Sequence, residues 1–263
     1  MYMRLLQLKI KEESIPLIGD FYTSRALAEL QNTRGCQFAS LLQNQRQPEE
    51  LISLTIWERL EDAEAYSRSD IFLKIMEEVH PHLAESSEWK VRLSKAMELT
   101  YAPLQEEPHI DSYRVEVQEQ LKPGSGPSFI RFFSMTVKAE RLAEFERIYN
   151  GEILPALKTT PGCTGAFLIK NLKDRHHLIS LTLWESAMAL EKYEKTGVFA
   201  ALLEKVSHTL SEFFQWKLAL EKGKAVTMHT SEDGKIDNYH FVLGKRFHNG
   251  DKEGGSREPL LPG

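Results

Sequence analysis

Cysteine is nearly missing from this chain. Two residues, Cys36 and Cys163, are too few among 263 for a disulfide framework, and such usage fits a reducing, cytoplasmic setting. Long apolar runs are missing as well. The longest are of strand length, so no membrane span is expected. The sequence has no long basic run, and 33 Lys and Arg against 38 Asp and Glu leave a net charge of −5. That balance gives no reason to expect a nucleic-acid partner. It has no P-loop and no strand-linked GxGxxG, so nothing supports a nucleotide cofactor. The histidine clusters, His80-Pro81-His82 and His176-His177, lack a cysteine partner at zinc spacing, and no metal site is expected. The opening MYMRLLQLKIKEES alternates and carries charge early, as a strand does and a signal peptide does not.

What is present is a repeat. LISLTIWE at 51–58 returns as LISLTLWE at 178–185. With that shift of 127 residues, Gly35-Cys36 falls on Gly162-Cys163, Asn44 on Asn171, Tyr66 on Tyr193, Phe72 on Phe199 and Trp89-Lys90 on Trp216-Lys217. Roughly 29 identities fall in 91 ungapped positions, far above chance. A fainter echo, shifted by one, sets Ile110-Asp111-Ser112-Tyr113 against Ile236-Asp237-Asn238-Tyr239. Two copies are few for a solenoid, and each has the size of a small domain, so a duplicated domain is the better reading. The expected division is a first domain over 1–105, a connecting segment over 106–127 with the turn-rich run from Lys122 to Pro127, a second domain over 128–230, and an extension over 231–263 whose end reads as disordered.

Within each copy the elements follow from periodicity. Met3–Lys11 and Ile130–Lys138 alternate as strands. Ile15, Ile18, Phe21 and Tyr22 have helical spacing, as do Leu142, Phe145, Ile148 and Tyr149. Two strands follow, Cys36–Asn44 and Leu51–Glu58 in the first copy. A second helical segment has Ser69 or Thr196 as its expected N-cap, and a last strand is expected to start at Trp89 or Trp216. The order is βαββαβ, the ferredoxin-like unit of the α+β class. Neither face of LISLTIWE is properly polar: Ile52, Leu54 and Ile56 lie on one, Leu51, Ser53, Thr55 and Trp57 on the other. Helices cover one face only, so the expectation is that the two copies close into one barrel, an intramolecular pseudo-dimer. Further self-association stays open.

Each copy resembles the antibiotic biosynthesis monooxygenase family, whose domains form dimeric α+β barrels. The resemblance rests on the Gly-Cys strand, on Leu-Ile-Ser-Leu-Thr-x-Trp-Glu, and on the helix carrying Tyr66 or Tyr193 before Ser69-Asp70-Ile71-Phe72 or Thr196-Gly197-Val198-Phe199. It implies oxygenases of phenols, quinols and anthrones that need no cofactor, or haem-degrading enzymes, or proteins without activity. In the haem-degrading relatives a histidine sits in the second helix. Met76 and Leu203 stand there in this chain, which disfavours haem.

The resemblance places Trp57 and Trp184 at a pocket wall, where an indole stacks on a planar ligand; the bland alternative is a core anchor. Tyr66 and Tyr193 are candidate hydrogen-bond donors to a phenol, with Phe72 and Phe199 beside them as pocket residues. Asn44, Asn171, Arg4 and Arg131 recur and are weaker candidates, since strand-end asparagines commonly close turns and basic residues near strand starts are usually solvated. The copies differ at Glu49-Glu50 against His176-His177 and at Asp70 against Gly197, so non-equivalent pockets are expected, at most one of them active. The expected function is a cofactor-independent monooxygenase of a small planar aromatic. The alternative is a non-catalytic binding or sensory protein.

Overall fold

In the computed structural model the described residues are 1–93, 99–120, 128–216 and 234–247. They form two compact units, Met3–Asp111 with the stretch from Val242, and Ser112–Phe241. The joint at 122–127 and the tail from 249 lie outside the described residues. Among those described, no helix is long and apolar enough to cross a membrane.

The first unit begins with β1 (Tyr2–Lys9) and continues through α1 (Ile15–Phe21), a π-helical turn over Tyr22–Leu27 and α2 (Ala28–Asn32). Strands β2 (Cys36–Asn44) and β3 (Glu50–Trp57) follow, then α3 (Leu60–Ser67) and α4 (Asp70–Val79). The sheet order is β1–β3–β2. Beside β2, Phe247 N donates to Gln37 O at 2.8 Å. Among the described residues, strands β4 (Glu85–Leu93) and β5 (Leu99–Gln105) pair only with each other, so the strand through Trp89 does not extend the main sheet.

The second unit repeats the pattern. It holds most of β6 (His109–Gln120), then β7 (Phe129–Thr136), α5 (Leu142–Ile148), a π-helical turn over Tyr149–Ile153, α6 (Leu154–Thr159), β8 (Cys163–Asn171), β9 (His177–Trp184), α7 (Ala187–Lys195) and α8 (Val198–Ser207). Its order is β10–β7–β9–β8–β6, where Ile236–His240 of β10 (Ile236–Arg246) run antiparallel to Phe133–Phe129. The fourth strand beside β7 is thus the echo segment around Ile236-Asp237. Trp216 itself ends a helical turn over 212–216, capped where Ser211 Oγ accepts from Phe214 N at 3.0 Å, and the rest of the strand expected from it lies outside the described residues. The cap expected at Ser69 is present, accepting from Phe72 N at 3.2 Å. Its counterpart Thr196 closes α7 by donating to Lys192 O, and Gly197 at φ +81° starts α8.

The signature residues have a common local cause. Gly35 and Gly162 turn from helix into strand at φ +77° and +80°. A Cβ there would lie 2.4 Å from Asp62 Oδ2 or 2.3 Å from Ala189 Cβ, so only glycine fits. The next residue opens a bulge that sets Cys36 opposite Trp57 and Cys163 opposite Trp184. Both cysteines are buried, and neither is in a disulfide. Both tryptophans are fully buried. Their Nε1–H groups donate to Thr55 and Thr182 Oγ1 at 2.8 and 2.9 Å. Both faces of β3 and β9 are buried, since Ile52 and Leu54 are as enclosed as Leu51 and Ser53.

Thr182→Val keeps the shape of the threonine and strands the buried indole N–H. Urea unfolding should show a loss of about 1–3 kcal/mol. An unchanged midpoint would mean that the bond contributes nothing net.

Candidate functional site

Alternation puts Arg4, Leu6 and Leu8 of β1, Leu41 of β2 and Ser53 of β3 on the face under the helices. Tyr22, Ala26 and Leu30 come down from the first helical segment, and Tyr66, Phe72, Ile75, Met76 and Val79 from α3 and α4. These residues enclose a cavity of about 30 Å3, enough for one or two water-sized groups. Phe21 and Met76, both only partly buried, stand at its rim.

The interior is aromatic. Trp57 and Tyr66 have ring centroids 5.5 Å apart, and Tyr66 meets Phe72 edge-on at 5.4 Å. The Arg4 guanidinium lies 4.6 Å from the Phe72 centroid and 5.8 Å from that of Tyr66, within cation–π range. Arg4 is 2% exposed, and its Nε and Nη2 have no hydrogen-bond partner. Burial pulls its pKa down to about 10, with Tyr66, Tyr22 and Cys36 pulling weakly the other way. Burial likewise raises Tyr66 to about 12 and lifts Tyr22 well above the usual phenol range. At neutral pH the cavity therefore offers a cation and the Tyr66 phenol, and none of its lining side chains is a base.

Tyr22 Oη and Ser53 Oγ are 2.9 Å apart, and Tyr22 also donates to Ser40 O. This pair pins the π-helical turn to the sheet, and it recurs as Tyr149 and Ser180 at 2.9 Å. Such turns concentrate at functional positions.

The second unit builds the same cluster. Trp184 and Tyr193 are 4.8 Å apart, Tyr193 and Phe199 5.9 Å, and Arg131 sits 4.0 Å from the Phe199 centroid. Three positions that line the first cavity carry bulkier residues here. Phe133 replaces Leu6, Phe145 replaces Ile18 and Ile153 replaces Ala26. Phe133 packs on both Phe199 and Phe214. Arg131 also has what Arg4 lacks, an Nε bond to Glu194 Oε1 at 2.9 Å.

The structure thus brings Tyr66 and Phe72 to the cavity, with Trp57 behind Tyr66 and outside the lining. In the second unit Trp184, Tyr193 and Phe199 hold the matching places. Asn44 and Asn171 stand apart, each closing a turn by accepting two backbone N–H bonds. Arg4 and Arg131, expected to be solvated, are buried. Their signal was available: an arginine recurring in phase with Leu6 and Leu8 faces the same way as they do. Among the described residues no cluster of three or more His, Cys, Asp or Glu could hold a metal.

A family model, antibiotic biosynthesis monooxygenase, matches residues 1–78 and 128–205. No curated protein matches the chain. Two solved structures described as "putative monooxygenase" share the fold. The one from Lactobacillus acidophilus NCFM is 9% identical with a TM-score of 0.61, covering 93% of this chain and 95% of its own. The one from Fusobacterium nucleatum is 7% identical with a TM-score of 0.65, covering 93% and 94%. An anthrone oxidase-like protein is 12% identical with a TM-score of 0.59, covering 97% of each chain.

Because the folded pKa of Arg4 lies below its unfolded value, the unfolded chain holds this proton more tightly, and the penalty applies at every pH below about 10. Arg4→Met should therefore raise the unfolding free energy by roughly 1–3 kcal/mol. Arg131→Met removes the ion pair with Glu194 and should lower it. Urea titration of the two variants checks the order, and a less stable Arg4→Met contradicts it.

Proposed function

This chain belongs to the antibiotic biosynthesis monooxygenase family, and from that premise we propose that it is a monooxygenase of small planar aromatics of the quinol, phenol or anthrone type, working without metal or flavin. The observation that carries the reading is the first-unit cavity, where Tyr66 and Phe72 supply aromatic walls and Tyr66 a phenol donor. Trp57 supports Tyr66 from behind, and Trp184, Tyr193 and Phe199 form the matching cluster of the second unit. The working site is the first one.

In this chemistry the deprotonated substrate gives an electron to oxygen, and the two recombine. The protein has to hold a flat anion in an apolar space and exclude water. Met76 stands where a histidine ligand would be needed for haem, and a thioether beside aliphatic residues suits an organic ring better. An aromatic ring needs more room than about 30 Å3, so entry displaces side chains at the rim. Met76, unbranched and adaptable, and Phe21, next to the π-helical turn, are the ones positioned to move.

The rival reading is a binding protein without catalysis. It is favoured by the lack of a base among the cavity side chains. Oxygen uptake with a panel of quinols and anthrones separates the two. The enzyme reading predicts substrate-dependent uptake that falls at least tenfold in Met76→Trp, which fills the cavity. The matching Leu203→Trp should leave uptake unchanged. If no member of the panel drives oxygen uptake, the monooxygenase reading is wrong.

A further inference from the structure

The two units treat the same buried arginine differently. Arg131 has its counter-charge within the fold: Glu194, on α7, accepts from Arg131 Nε at 2.9 Å and from Asn238 Nδ2 at 3.3 Å. The residue equivalent to Glu194 in the first unit is Ser67, at the end of α3. Its hydroxyl donates to Ala63 O at 2.9 Å. Arg4 is thus 2% exposed, without a carboxylate, with Nε and Nη2 unpartnered, and it lines a cavity. A buried charge is normally paired, and a buried donor normally bonded. Here both conditions fail at one residue, beside open space. In the sister unit a carboxylate answers the charge and takes the Nε–H, and only Nη2 of Arg131 is left without a partner.

We propose that the first-unit cavity is an anion site in which Arg4 receives the charged oxygen of a small organic monoanion, a carboxylate or a phenolate, and that Glu194 is the built-in equivalent of that ligand in the second unit. The chain then takes one anion. The neighbours of Arg4 suit such a guest. Tyr66 is a neutral donor, Phe72 covers one side of the guanidinium, and apart from the Tyr22–Ser53 pair the rest of the lining is apolar. The site fits either an ionised substrate or an ionised product. The assignment deepens the proposed function of the same cavity and rests on that reading only for the body of the ligand.

Two probes test it at constant ionic strength: sodium formate, small enough for the cavity as it stands, and 4-nitrophenol, whose colour reports ionisation. Calorimetry should find one equivalent of each. Bound 4-nitrophenol should be the yellow anion at a pH where the free dye is mostly neutral. Arg4→Met should weaken both at least tenfold, and Arg4→Lys should retain part of the binding. Ser67→Glu, which copies the second unit, should weaken both by a similar factor, and it keeps the test decisive if Arg4→Met fails to fold. Dye bound in its neutral form, or binding indifferent to both Arg4→Met and Ser67→Glu, overturns the proposal. Oxygen uptake is followed in the same samples. Anion binding without uptake removes the reaction and leaves the site standing. Uptake whose KM is unmoved by Arg4→Met removes the site and leaves the reaction standing.

Discussion

A guanidinium buried under the helices is the constraint that organises the interior of each unit. An arginine there is cut off from bulk water, so the surrounding groups have to answer its charge. Both units respond first with aromatic faces, Phe72 and Tyr66 around Arg4, and Phe199, Tyr193 and Phe133 around Arg131. The rings are held in turn by a tryptophan fixed to the sheet through a threonine hydroxyl, at the point where a glycine turn and a bulge begin the neighbouring strand. The repeated signature reads as one mechanical assembly. Glycine admits the turn, the bulge aims the tryptophan, and the tryptophan backs the tyrosine beside the arginine.

Duplication makes the differences informative. The scaffold is common to both copies, down to the Tyr22–Ser53 and Tyr149–Ser180 bonds that tie the π-helical turns to the sheet. Around the arginine, however, the second copy differs in two independent ways. It has larger side chains at Phe133, Phe145 and Ile153, and it has Glu194 on the guanidinium. The first copy has smaller side chains and no carboxylate. Bulk and charge point in the same direction, which fits one site per chain.

Much of the fold could be read from the sequence. The repeat gave the duplication, alternation gave the first strand of each copy, and the next two strands lie within a residue of where they were expected. The two-faced apolarity of LISLTIWE and LISLTLWE matches the burial of both faces of β3 and β9. A strand does run through Trp89, but it pairs with β5 outside the main sheet, and the strand expected from Trp216 falls outside the described residues. The weaker Ile-Asp echo marked the segment that pairs with β7. Trp216 itself lies in the helical turn that Ser211 caps. In the site, the aromatic residues were found by recurrence. The arginines were undervalued because a general tendency, that basic side chains near strand starts are solvated, was applied to residues whose phase on the strand pointed inward. The contrast between Ser67 and Glu194 could not be recognised from sequence alone, since its meaning depends on a three-dimensional contact across 63 residues.

The central claim is that Arg4 carries an unanswered charge and Arg131 does not. The most direct measurement is a crystal soaked in sodium bromide and examined at the bromine absorption edge. The account predicts an anomalous peak against the Arg4 guanidinium and none against Arg131. Peaks of equal height at both arginines, or none at Arg4, would contradict it.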